Sequence, residues 1–125
     1  MPKRVLAAVL VASFVVLVGA PSAQASSVTV KIVNFAFKPA NVSISKGTKV
    51  VWKNTSSTTT HSVTAYKGNW SKDSTVLAGS STSFTFKGTG TFKYYCKFHA
   101  HITPSGSCVA NTGIPTRMCG IVVVT

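Results

Sequence analysis

Acidic side chains are all but missing: Asp73 stands alone against thirteen lysines and arginines. Without a second carboxylate, glycoside hydrolysis and every other two-carboxylate acid–base mechanism is excluded. A Ser-His-Asp triad would have to use Asp73, and no serine sits in a nucleophile-elbow pattern. Hydrolytic function is not expected. Helix signals are missing too, since no convincing stretch carries apolar residues at helical spacing. Cysteines number only three. The one long apolar run, Val5 to Val18, falls short of the roughly 20 residues that span a bilayer.

That run has a recognisable setting. Lys3-Arg4 precedes it, and Ala23-Gln24-Ala25 follows as a small-x-small cleavage site. The pattern predicts a secretory signal over residues 1–25, cut before Ser26, and one domain over 26–125. An uncleaved anchor is the alternative. Export places the domain in the periplasm, the cell envelope or the medium. Without Lys3 and Arg4 the net charge is about +10, a field that attracts acidic proteins and anionic envelope surfaces. The lysines are scattered through the strands and form no block, which argues against nucleic acid.

Period-two alternation dominates the remainder. Val28, Val30 and Ile32 alternate with Thr29 and Lys31; Phe35 to Lys38 is stopped by Pro39; Val42 and Ile44 alternate with serines. Val50-Val51-Trp52, His61 to Ala65, Phe84 with Phe86, Phe92 to Cys96, and Ile121 to Val124 continue the series. Gly68 to Gly79 reads mostly as loop, with Trp70 and Leu77 as anchors. The expectation is an all-β, antiparallel Greek-key β-sandwich of about seven to eight strands.

Phe92, Tyr94 and Cys96 share one strand face, so the Cys96 thiol should point inward among aromatic rings. An odd cysteine count in an exported chain calls for one pair and one remainder. Cys108 and Cys119 bracket a loop that carries Gly113, Pro115 and two threonines, and pairing them leaves Cys96 free. Closing such a loop stabilises by about 3 kcal/mol. Bonding Cys96 to either of the others would instead remove it from metal binding. His99 follows Cys96 at a spacing that lets one turn bring both to an ion. His61 ends the Ser/Thr run 55–60, and Met118 precedes the last strand. One thiolate, two imidazoles and a thioether are the donor set of a mononuclear blue-copper site.

On these residues the chain resembles the cupredoxins of the plastocyanin and amicyanin kind. Val50-Val51-Trp52-Lys53-Asn54 with His61-Ser62-Val63 is similar to their first-histidine segment. Leu77-Ala78-Gly79 with Phe84-Thr85-Phe86 resembles their middle portion. Gly90 to Cys96 with His99 resembles the ligand strand and loop, and Met118-Cys119-Gly120 with the following valines resembles the axial methionine and final strand. The resemblance implies one type 1 copper cycling between Cu(I) and Cu(II) on His61, Cys96 and His99, with Met118 axial. It implies a monomeric one-electron carrier that exchanges with an acidic redox protein or a membrane electron-transfer complex. His99 would be the exposed edge, rimmed by Phe98 and Ala100, with Lys93 and Lys97 steering the partner and Asn54 bracing the site. His101 reads as a polar loop residue. One departure stands out: residues 100–117 intervene before Met118 as an inserted loop. Copper storage, delivery or resistance without an electron-transfer partner is the alternative function, and a metal-free sandwich binding anionic envelope polymers is a further one.

Overall fold

A computed structural model describes residues 2, 8–22 and 24–125. The cationic start Lys3-Arg4 and Ala23 of the expected cleavage site lie outside the described residues. Val9, Leu10, Val11, Phe14 and Val15 to Val18 are all exposed. Among the described residues no helix is long and apolar enough to cross a membrane.

Among the described residues, eleven strands follow. The chain opens with β1 (Ser27–Val33), β2 (Ala36–Lys38), β3 (Asn41–Ile44) and β4 (Lys49–Asn54). It continues through β5 (His61–Lys67), β6 (Asp73–Val76), β7 (Ser81–Thr85) and β8 (Gly90–Tyr95). A short hairpin, β9 (Ala100–Ile102) and β10 (Cys108–Ala110), precedes β11 (Cys119–Val124). Two sheets form the sandwich, in orders β2-β1-β4-β7 and β3-β11-β8-β5-β6.

The all-β sandwich matches the expectation from alternation, with two differences. First, β1 runs parallel to β4, and β3 parallel to β11. The chain passes from one sheet to the other between β2 and β3, so each parallel pairing brings together strands distant in sequence. Alternation reports which face is buried and carries no strand direction. Second, three strands lie where loop was expected. Within Gly68–Gly79, β6 pairs with the start of β5, and within 100–117 the hairpin β9–β10 forms. These strands are three or four residues long, too short and polar to print an apolar pattern. Leu77 is no anchor, being 59% exposed, whereas its neighbour Val76 is buried. Trp70 does pack against the core.

The core fills with the inward residues of both sheets: Val30, Ile32, Val50 and Trp52 from one, Val63, Phe92, Tyr94 and Val122 from the other. Each such burial is worth about 1.5–3 kcal/mol. Gly120 lies on the inward face of β11, opposite Tyr94. A β-carbon built there would stand 2.1 Å from Tyr94 Cζ, so the tyrosine ring occupies the space glycine leaves. Cys108 and Cys119 are disulfide-bonded, tying the hairpin to the start of β11, and Cys96 is free and buried.

Candidate metal centre

The site is built at one end of the sandwich, where β4 leads into β5 and where β8 leaves the sheet. Asn54 closes β4 and is fully buried. Its Nδ2 donates to the carbonyls of Thr59 (2.8 Å) and Val76 (2.9 Å). Its Oδ1 accepts from the Ser56 amide (3.1 Å) and hydroxyl (2.7 Å). One side chain thus folds the Ser/Thr loop back on itself and fixes Val76, the residue paired with His61. Asn54 acts on His61 through backbone and touches none of the three donor atoms. Removing its amide leaves buried carbonyls unpaired, so Asn54→Ala should cost about 2–3 kcal/mol in denaturant unfolding.

Cys96 follows the last residue of β8. Its amide donates to the Met118 carbonyl (3.0 Å), and its carbonyl accepts from the amides of His99 (3.1 Å) and Ala100 (2.9 Å). The resulting tight turn carries His99 back over the thiol. The Cys96 Sγ lies 3.3 Å from His99 Nδ1 and 3.8 Å from His61 Nδ1. The three donor atoms lie within 4.8 Å of one another. Ser62, which sequence reasoning passed over, joins the two halves. Its amide donates to Sγ at 3.3 Å, while its hydroxyl accepts from the Lys97 amide at 2.9 Å. Nothing in a lone serine after a histidine signals that role.

Burial grades across the cluster. His61 and Cys96 are fully buried, and His99 is half-buried. The His61 Nε2 has no hydrogen-bond partner among the described residues. Burial lowers the His61 pKa to about 4, with the neighbouring His99 acting in the same direction; burial also lowers His99. A depressed histidine binds fewer protons folded than unfolded, so stability should rise with pH from about 4 to 6.5. Melting of the metal-free protein should therefore fall between pH 7 and pH 4.5, and His61→Gln should flatten that slope. Two neutral imidazoles and a thiol converging in a buried place, with no carboxylate among them, form the donor set that suits copper.

The rest of the neighbourhood is partly as expected. Met118 is fully buried and shares the core cluster with Cys96. His101 stands outside the three-donor group; its Nδ1 pairs with Asn111 Oδ1 at 2.8 Å. Asn111 itself braces the turn after Cys96, its amide donating to the His99 carbonyl (2.9 Å) and its Nδ2 to the Phe98 carbonyl (3.3 Å). The hairpin segment of 100–117 therefore supports His99 directly. Phe98 is exposed, but Ala100 is buried and cannot serve as docking rim, because the turn that seats His99 draws it inward. Phe35 meets the His99 ring edge-on at 5.1 Å instead. Lys97 does not stand free to steer a partner: its Nζ is 2.8 Å from Asp73, the chain's one acidic side chain.

The sequence matches the family described as Cupredoxin-like domain over residues 6–110. It matches no curated protein. Among solved structures it is similar to the reduced state of an amicyanin mutant, with 24% identity, TM-score 0.60, and coverage of 79% of this chain and 82% of that one. Amicyanin from Paracoccus versutus is similar at 23% identity and TM-score 0.57, covering 83% and 86%. A purple cupredoxin from Nitrosopumilus maritimus is similar at 24% identity and TM-score 0.56, covering 78% and 98%. At these identities the likeness is one of fold.

Proposed function

Since the chain belongs to the cupredoxin-like family, we propose that it is an exported, monomeric one-electron carrier with a single type 1 copper. His61, Cys96 and His99 would hold the metal, with Met118 as a further, weaker ligand. The observation that carries this reading is the convergence of one buried thiol and two imidazole nitrogens. When bound, copper supplies exchange of one electron between Cu(I) and Cu(II) without a proton or a substrate.

The chain's own groups account for the rest. Burial keeps His61 neutral at physiological pH, so one of its ring nitrogens keeps a free lone pair. The Ser62 amide, donating to Sγ, fixes the position of the sulfur and withdraws electron density from it. Hydrogen bonds from the His99 and Ala100 amides to the Cys96 carbonyl stiffen the ligand turn. Core packing around Cys96 excludes water. His99 is the least buried of the three, which makes it the natural edge for contact with a partner, beside exposed Phe98. The exposed apolar run before β1 supports a leader over residues 1–25 and delivery to the periplasm, envelope or medium. The partner is an acidic redox protein or a membrane electron-transfer complex, drawn by the cationic field.

Absorption and paramagnetic-resonance spectra of the copper-loaded protein test the reading. An intense blue thiolate-to-copper band with a type 1 resonance is the expected result, and a colourless copper complex would sink it. The same spectra should shift in Met118→Gln; unchanged spectra return Met118 to the role of core filler.

A further inference from the structure

The disulfide-pinned hairpin does more than support His99: it walls a second feature. Between Gly106-Ser107-Cys108 and the outer face of the five-stranded sheet lies a cleft of about 490 Å³. This is within the range of small-molecule sites. Asn41, Tyr66, Lys93 and Arg117 line it.

Lys93 reaches the cleft by ordinary alternation, since Phe92 and Tyr94 on either side point inward. Tyr66 arrives by a different device. The β5–β8 ladder pairs Ala65 with Tyr94 and then Lys67 with Lys93, so Tyr66 is the extra residue of a β-bulge. Bulges re-aim side chains and concentrate beside functional sites. Tyr66 rests edge-on against Tyr95 at 5.6 Å. Burial pushes its hydroxyl pKa up, while the nearby Arg117 charge acts in the opposite direction.

Charge completes the picture. Asp73 is engaged by Lys97, so neither Lys93 nor Arg117 has an acidic side chain to answer it among the described residues. Two uncompensated cations, a phenol and an amide facing one cleft are the chemistry that recognises a multi-oxygen anion. Arginine in particular presents a fork that matches two oxygens of a phosphate or a carboxylate.

We propose that this cleft binds a small polyvalent oxyanion, phosphate- or carboxylate-bearing, held by Arg117 and Lys93, with Tyr66 and Asn41 as neutral hydrogen-bond donors. The site is separate from the three-donor cluster, yet Arg117 immediately precedes Met118, so an occupant sits against the segment that leads into β11. The test is isothermal titration of the full-length protein with pyrophosphate and with citrate at about 0.15 M salt, where diffuse attraction is screened. One saturable site is expected, weakened about tenfold or more in Arg117→Gln. Lys49→Gln, which removes an exposed charge from the other sheet, should leave affinity within about twofold, as a distant independent site. Arg117 is exposed, and the melting curve of its variant should overlay that of the parent. Binding of pyrophosphate alone identifies a phosphoryl ligand, and binding of citrate alone a polycarboxylate; either supports the site. Unsaturable heats, or equal losses in Arg117→Gln and Lys49→Gln, would overturn it.

Discussion

Cys96→Ser should abolish the blue chromophore outright and weaken copper binding by more than about 100-fold, the upper end for losing even an outer hydrogen-bond partner of a ligand. The substitution exchanges one atom in a fully buried position, and the Ser62 amide that faced the sulfur can donate to the new hydroxyl. The fold should therefore survive, with unfolding free energy changed by no more than about 1–2 kcal/mol. Spectra, a copper-competition titration and a denaturant melt separate the two effects. If the blue band persists in Cys96→Ser, the thiolate is not its source, and the site must be reassigned.

Gly120→Ala should destabilise the domain severely. Its β-carbon would fall 2.1 Å from Tyr94 Cζ and 2.3 Å from the tyrosine oxygen. Tyr94 is fully buried and packs edge-on against Trp52 (5.2 Å) and Phe37 (4.8 Å), so its ring has nowhere to retreat. Overpacking of this kind costs about 3 kcal/mol or more. In a domain of this size that lowers the melting temperature by more than about 12 °C. Tyr94→Leu should relieve the clash, so the double variant should lose less than the sum of the two single changes. A Gly120→Ala protein within about 0.5 kcal/mol of the parent would show that β11 can shift away from β8. The strand start that carries Cys119 would then be looser than the packing indicates.

Much of this architecture is legible in the residues, and for identifiable reasons. Alternation through Phe92, Tyr94 and Cys96 reads directly as one buried face, because the pleat leaves a side chain no other choice. The meeting of His61 with Cys96 and His99 is legible from residue type and from the loops that hold them. What escapes is what alternation does not encode. Strand direction is one case, so the parallel pairings β1·β4 and β3·β11 go unseen. Short strands are another: β6 has only Val76 to bury, and the adjacent Leu77 is the more conspicuous residue yet points to solvent. Backbone groups are a third, since the Ser62 amide on Sγ and the carbonyls that accept from Asn54 and Asn111 belong to no side-chain pattern. Ala100 shows the same limit, because its burial follows from a turn closed by hydrogen bonds to the Cys96 carbonyl.

The Lys97–Asp73 contact has a consequence for the surface as a whole. Asp73 Oδ1 also accepts from Thr64 Oγ1 at 3.0 Å, and Thr64 Oγ1 lies 2.9 Å from the Ser62 hydroxyl. The one anionic side chain thus stands at the outer end of a polar chain whose inner residue donates its amide to the thiol. Amidation of carboxyl groups leaves such a molecule with no acidic side chain anywhere, freeing Lys97 next to the ligand turn. In this chain a reagent usually considered unselective therefore has a single side-chain target, and it lies beside the candidate metal centre.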